Sequence, residues 1–169
     1  IFVIIFSCAF LYLFVQAFLF PPNNWDSMTY NLTRVFLFQN EGSLFLDNFV
    51  DYRQVNFPWG YDILAHLHLR FYSDFGQGVF SFLSYLVIVL SGYSLVKKSL
   101  KNESLAVLVA FIIASFTELV LQSTSTKNDI PCAAAAAVML LAAFNYLDNK
   151  KNEDSLFIII TMIPFGMSA

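Results

Sequence analysis

Apolar residues run along this chain in blocks about twenty residues long, separated by short polar connections and by one long one. A helix crossing a bilayer core needs about 20 apolar residues at roughly 1.5 Å each. Residues 1–20, 75–96, 104–122 and 130–147 meet that length, and a fifth block begins near Ser155 and fills 155–169. Such blocks lack the half-buried period of a soluble core. The pattern predicts an all-α fold, a polytopic transmembrane helical bundle, with residues 1–169 as the N-terminal part of one transmembrane domain.

Residues 21–74 form a long first outer loop, and the periodicity places two juxtamembrane helices in it. Over Ser27–Gln39, Leu32, Val35, Phe36 and Phe38 make an apolar face, Asp26 stands at the N-cap position and Gly42 at the stop. Pro58–Phe71 is too short to cross. Asp62, His66, His68 and Arg70 would be costly in hydrocarbon, about 2.5–3.5 kcal/mol for Asp or Arg near the centre of an inserted helix. The segment is expected to lie at the interface, with Trp59, Tyr61, Leu64, Leu67 and Phe71 toward the acyl boundary and its polar residues toward water or a pocket.

Composition supports a membrane protein: 58% of the residues are hydrophobic and 12% charged, against roughly 45–50% and about 25% in soluble domains. The net charge is −3 and no basic run exceeds Lys97-Lys98 with Lys101, so no nucleic-acid surface is indicated. Cys8 and Cys132 sit in apolar segments without ligand spacing, and the small-residue run Ala133–Ala137 suits close helix packing. Lys97, Lys98, Lys101, Lys150 and Lys151 fall on one side of the predicted spans, which the positive-inside rule makes cytoplasmic. Residues 21–74 and 123–129 are then outside. The opening block lacks a cleavage site and reads as a retained span, and the apolar run at the end suggests a piece of a longer protein.

Candidate chemistry gathers in the outer loop. Asp26 follows Trp25 at the exit of the first span, where a carboxylate at the water boundary suits a general base; the competing reading is a helix N-cap. Arg34, Arg53 and Lys127 come from three stretches and together can bracket a phosphate, although each alone reads first as a solvated or headgroup-facing charge. Asp129 opens the helix that Pro131 continues. His66 and His68 are two apart and cannot share a metal face on a helix. Glu118 falls inside a predicted span near its outer end, where a carboxylate is a functional candidate by default and snorkelling to the outer interface is the plainer reading. Asn31-Leu32-Thr33 matches a glycosylation sequon, a weak pattern.

Three patches, Trp25-Asp26-Ser27-Met28-Thr29-Tyr30-Asn31-Leu32-Thr33-Arg34, then Tyr52-Arg53-Gln54 with Phe57-Pro58-Trp59-Gly60, then Gln122-Ser123-Thr124-Ser125-Thr126-Lys127-Asn128-Asp129, resemble the N-terminal part of bacterial GT-C glycosyltransferases. That group includes the protein O-mannosyltransferases and the lipid A aminoarabinose transferases. The resemblance implies an inverting glycosyltransferase that moves a hexose or pentose from a polyprenyl-phosphate donor to a lipid, glycan or protein hydroxyl, outside a bacterial inner membrane. It implies Asp26 as catalytic residue, Arg53, Arg34 and Lys127 at the donor phosphate, and Tyr30, Gln54, Trp59, Asn128 and Asp129 as supporting residues. No metal ligands are indicated, and a divalent metal is left open as a cofactor.

Two departures stand out. Many relatives carry Asp-Glu where this chain has Asp26-Ser27, and aminoarabinose transferases place a Lys just before the loop proline, where this chain has Asn56-Phe57-Pro58. A polytopic transporter or lipid-handling protein without catalytic activity is the alternative. Mostly unbroken spans and polar residues collected in an outer loop favour surface chemistry over passage.

Overall fold

A computed structural model of the chain describes residues 2–44, 51–56, 59–71, 75–148 and 153–168. Lys150 and Lys151 of the orientation argument, and the Phe57-Pro58 pair of the second patch, lie outside the described residues. All regular structure among the described residues is helical. Helix α1 (Phe2–Leu19) ends before Pro21-Pro22, which cannot donate to a continuing helix. A π-helical turn, Ser27–Asn31, runs straight into α2 (Leu32–Glu41), which Gly42 closes in the left-handed conformation, as the pattern expects. Then come α3 (Tyr52–Asn56), α4 (Gly60–Phe71), α5 (Val79–Leu100), α6 (Glu103–Ala114), α7 (Thr117–Gln122), α8 (Asp129–Asp148) and α9 (Glu153–Ser168).

Helices α5 and α8 are each long and apolar enough to cross a membrane, and shorter apolar stretches, Ile4–Leu19 and Glu103–Ala114, stand beside them. Helix α5 is the hub, packing against α1, α6 and α8, and α9 lies against α8. The main core joins Leu13 and Ala17 of α1 to Phe82, Tyr85 and Val89 of α5, with Ala114 and Ile130. A second core sits under the loop helices, where Val35 of α2 meets Tyr61 and Ala65 of α4.

Two expectations are corrected. The predicted span 104–122 is broken at Ser115–Phe116. The Ser115 hydroxyl donates back to the Ile112 carbonyl (2.9 Å), competing with the helical ladder, and Phe116 is extended. The Ala114 carbonyl loses its helical partner and accepts instead from the Tyr85 hydroxyl at 2.8 Å. The second correction concerns α4. Its Tyr61, Asp62, Ala65 and His66 are buried, while Leu67, Arg70 and Phe71 are exposed. Tyr61 therefore turns away from the expected acyl-facing side, and its hydroxyl donates to the Gln77 carbonyl at 3.1 Å. Asp62 and His66 turn inward with it.

One end of the bundle is closed by charge: Lys98 reaches Asn145 (2.6 Å) and Asp148 (3.2 Å), and Lys97 pairs with Glu103. At the other end the backbone itself closes the packing. The Gly76 amide donates to the Phe18 carbonyl at 2.8 Å, at φ 80, where a side chain is strained. A Cβ on Gly78 would lie 3.0 Å from the Ala17 carbonyl oxygen and 3.1 Å from that of Thr124. The exit of α1, the start of α5 and the turn before α8 thus meet at one point, which carries the candidate site.

Candidate functional site

Asp26 follows α1 by a short proline-rich segment and stands one residue before the π-helical turn. It does not cap that turn: its backbone is already helical, and the Ser27 amide donates to Asn24 Oδ1 at 2.9 Å. Asn24 performs the capping that the pattern assigned to Asp26, and the Asp26 carboxylate is left about one-third exposed (32%) and turned to other partners.

Those partners are two of the three cations expected at a phosphate. Lys127 Nζ lies 2.7 Å from Asp26 Oδ2, and Arg53 Nη1 lies 3.8 Å from Asp26 Oδ1. Local bonds hold each in place. The Thr126 amide donates to the Ser27 hydroxyl oxygen at 3.2 Å, so the residue after Asp26 is tied to the residue before Lys127. Ser27 and Thr126 are both fully buried. Arg53 is gripped by Asp51, which accepts from its backbone amide (2.8 Å), from Nε (3.3 Å) and from Nη2 (3.2 Å). The Arg53 guanidinium also lies over the Tyr30 ring, 5.1 Å from its centre.

The electrostatics follow from these contacts. The hydrogen bond to Asp26 holds the Lys127 ammonium more firmly protonated than an ordinary lysine, against a smaller cost of burial. Hydrogen bonding to Asp51 does the same for Arg53, and Arg53 in turn lowers the Asp51 carboxyl. Burial raises the Tyr30 hydroxyl, with the charges of Asp26 and Asp129 adding to it. Asp129 also acts on Lys127. Asp26 and Asp129 therefore share Tyr30 and Lys127 as electrostatic neighbours, a proximity that spacing along the chain does not reveal.

The remaining predicted residues make other contacts. Arg34 is buried, and its guanidinium pairs with Asp62 at 2.5 Å and donates to the Gln54 carbonyl at 3.1 Å. It clamps α2, α3 and α4 together rather than standing open to a phosphate. Burial pushes the Asp62 carboxyl up to about 7, against the opposing pull of Arg34. Gln54 is buried too; its amide donates to the Thr29 carbonyl (3.3 Å) and accepts from the Asp51 amide (3.3 Å). Trp59 packs on Phe38, and the carbonyl of Asn128 accepts from the Cys132 amide at the start of α8. Among the described residues, no three carboxylate, imidazole or thiol groups converge as a metal site.

Four contributors were not picked out in the sequence: Asn24, Ser27, Asp51 and Asp62. Asp51 stands two residues before Arg53, a spacing that offers a local signal. The other three act through contacts distant in the chain or through a cap shifted by two residues.

A comparison with protein-family profiles matches residues 57–169 to dolichyl-phosphate-mannose-protein mannosyltransferase. The matched stretch holds α4 to α9 with Lys127, Asn128 and Asp129, and begins after Asp26, Tyr30 and Arg53. No curated protein and no solved structure matches the chain.

Proposed function

The chain belongs to the dolichyl-phosphate-mannose-protein mannosyltransferase family of membrane glycosyltransferases, and from that premise we propose that it transfers a sugar from a polyprenyl-phosphate donor to an acceptor hydroxyl at the outer face of the membrane. The observation that carries the reading is Asp26 set between Lys127 and Arg53. Without substrate, each cation neutralises one side of the carboxylate. A donor phosphate competes for both, Arg53 meeting it as a planar fork and Lys127 as a point charge. Asp26 is then released to accept a proton.

The acceptor oxygen attacks the anomeric carbon while its proton passes to Asp26. The bond between that carbon and the phosphate oxygen breaks, and the lipid phosphate leaves with its charge held by Arg53 and Lys127. Direct displacement inverts the anomeric carbon. Arg34 has no part in this step, because Asp62 and Gln54 occupy it. The acceptor is a lipid, glycan or protein hydroxyl, and the setting is a bacterial inner membrane with the loop outside.

The test is transfer from a polyprenyl-phosphate sugar by the intact protein in nanodiscs. Asp26→Asn, matched for yield and melting temperature, is expected to lose about 10²–10⁴-fold in turnover, the usual worth of a positioned general base. Turnover equal to wild type would remove Asp26 from the base role.

A further inference from the structure

Beside Lys127 lies a cavity of about 580 Å³ that the transfer step above leaves unused. Its size falls inside the ~300–1,000 Å³ range of small-molecule sites. Glu118 and Gln122 of α7 line it together with Gln16, Asn23, Phe20 and Lys127. This is a mixed wall of carboxylate, amides, one cation and one aromatic ring. Carboxylate and amide groups accept and donate to hydroxyls in several directions, whereas Glu118 opposes a second anion. Phe20 is 62% exposed and offers an apolar face of the kind the C–H side of a sugar ring packs against.

The local fold explains how the wall arises. An unbroken helix over 104–122 would continue the α6 axis through Glu118; the break at Ser115–Phe116 starts α7 afresh, and α7 places Glu118 and Gln122 one turn apart on the cavity. Gln122 Nε2 donates to Glu118 Oε1 at 2.6 Å, which orients both groups and leaves the second carboxylate oxygen as an acceptor. Pro21 and Pro22 also line the cavity and stiffen that part of its wall. Lys127 belongs to both places, touching Asp26 and lining the cavity.

We propose that this cavity binds a sugar ring, with Glu118 and Gln122 holding its hydroxyls and Lys127, the ion-pair partner of Asp26, in its wall. The ring is the donor's transferred sugar or a sugar of the acceptor; that choice rests on the transfer reading, and the cavity's affinity for a sugar does not.

The probe is methyl α-mannopyranoside, observed by saturation-transfer NMR on the intact protein in nanodiscs. Wild type and Asp26→Asn are expected to bind it, and Glu118→Ala with Gln122→Ala to weaken binding about tenfold or more, as loss of hydrogen bonds to a charged group does. If the double variant does not fold, Glu118→Gln keeps the shape of the wall and is expected to weaken binding as well. No binding by wild type, or equal binding by wild type and the Glu118 variants, overturns the proposal. Kinetics then locate the ring. A higher KM for donor, both in transfer and in hydrolysis without acceptor, marks the donor's sugar; a higher KM for acceptor alone marks the acceptor's. Unchanged KM values for both overturn the proposal while leaving the role of Asp26 standing. Sugar binding at this wall with no transfer by wild type overturns the transfer reading instead.

Discussion

Two small side chains decide how Asp26 is presented. Asn24 takes over the cap, so the carboxylate is not spent on backbone amides, and Ser27 ties the Asp26 segment to the turn that carries Lys127. Ser27 therefore puts a connecting hydroxyl directly after the Asp26 carboxylate. Ser27→Ala leaves the buried Thr126 amide without its acceptor, at a cost of about 1–3 kcal/mol. Faster hydrogen exchange at that amide and a weaker hold of Lys127 are expected; unchanged exchange would show that the bond is unimportant. Asp62 supplies a pH-dependent prediction. Its carboxyl titrates near 7 in the folded chain, against about 3.9 in an unfolded one. Between these values the folded chain holds a proton that the unfolded chain has released, so stability falls as pH rises from about 4 to about 7 and levels off above. Thermal unfolding across that window should show the slope, and Asp62→Asn should flatten it. None of this was legible in the sequence, because Arg34 and Asp62, like Ser27 and Thr126, meet only after distant segments fold together.

At the level of elements, the helical blocks were readable from their length and the stop at Gly42 from its residue type. The break in the third predicted span was not: Ser115–Phe116 contains no glycine or proline, and the carbonyl it frees is satisfied by Tyr85 from another helix. That tertiary partner makes the break tolerable in apolar surroundings. It also removes one argument against a transporter, the expectation of unbroken spans, and leaves family membership to decide for transfer. The inward face of α4 was misread for a similar reason, since Tyr61 suits an interface as well as a core until Gln77 and Ser81 are seen to meet its hydroxyl. Gly78 tests how the elements converge. Gly78→Ala sets a methyl group against two backbone oxygens that cannot swing aside. A loss of about 1–3 kcal/mol is expected, as for overpacking elsewhere, together with reduced transfer. A variant with wild-type melting temperature would show that the α1 exit and the Thr124 turn have room to part.

Among the described residues, two clusters of charge stand at opposite ends of an apolar bundle. Lys97, Lys98, Glu103 and Asp148 pair with one another at one end, and Asp26, Arg53, Lys127 and Asp129 gather at the other. Three stretches far apart in sequence converge on the second end because α1, α5 and the turn before α8 are locked there by backbone contacts. Asp26, Arg53 and Lys127, which the resemblance assigns to one site, lie beside one another, while Arg34 lies against Asp62. The transfer reading requires this end to hold a lipid-phosphate sugar. Native mass spectrometry of the gently purified intact protein, supplied with polyprenyl-phosphate sugar, tests that most directly. The lipid is expected bound to wild type and largely lost from Arg53→Ala; bulk phospholipid alone on wild type, or equal retention by the variant, would rule out a donor site held by Arg53.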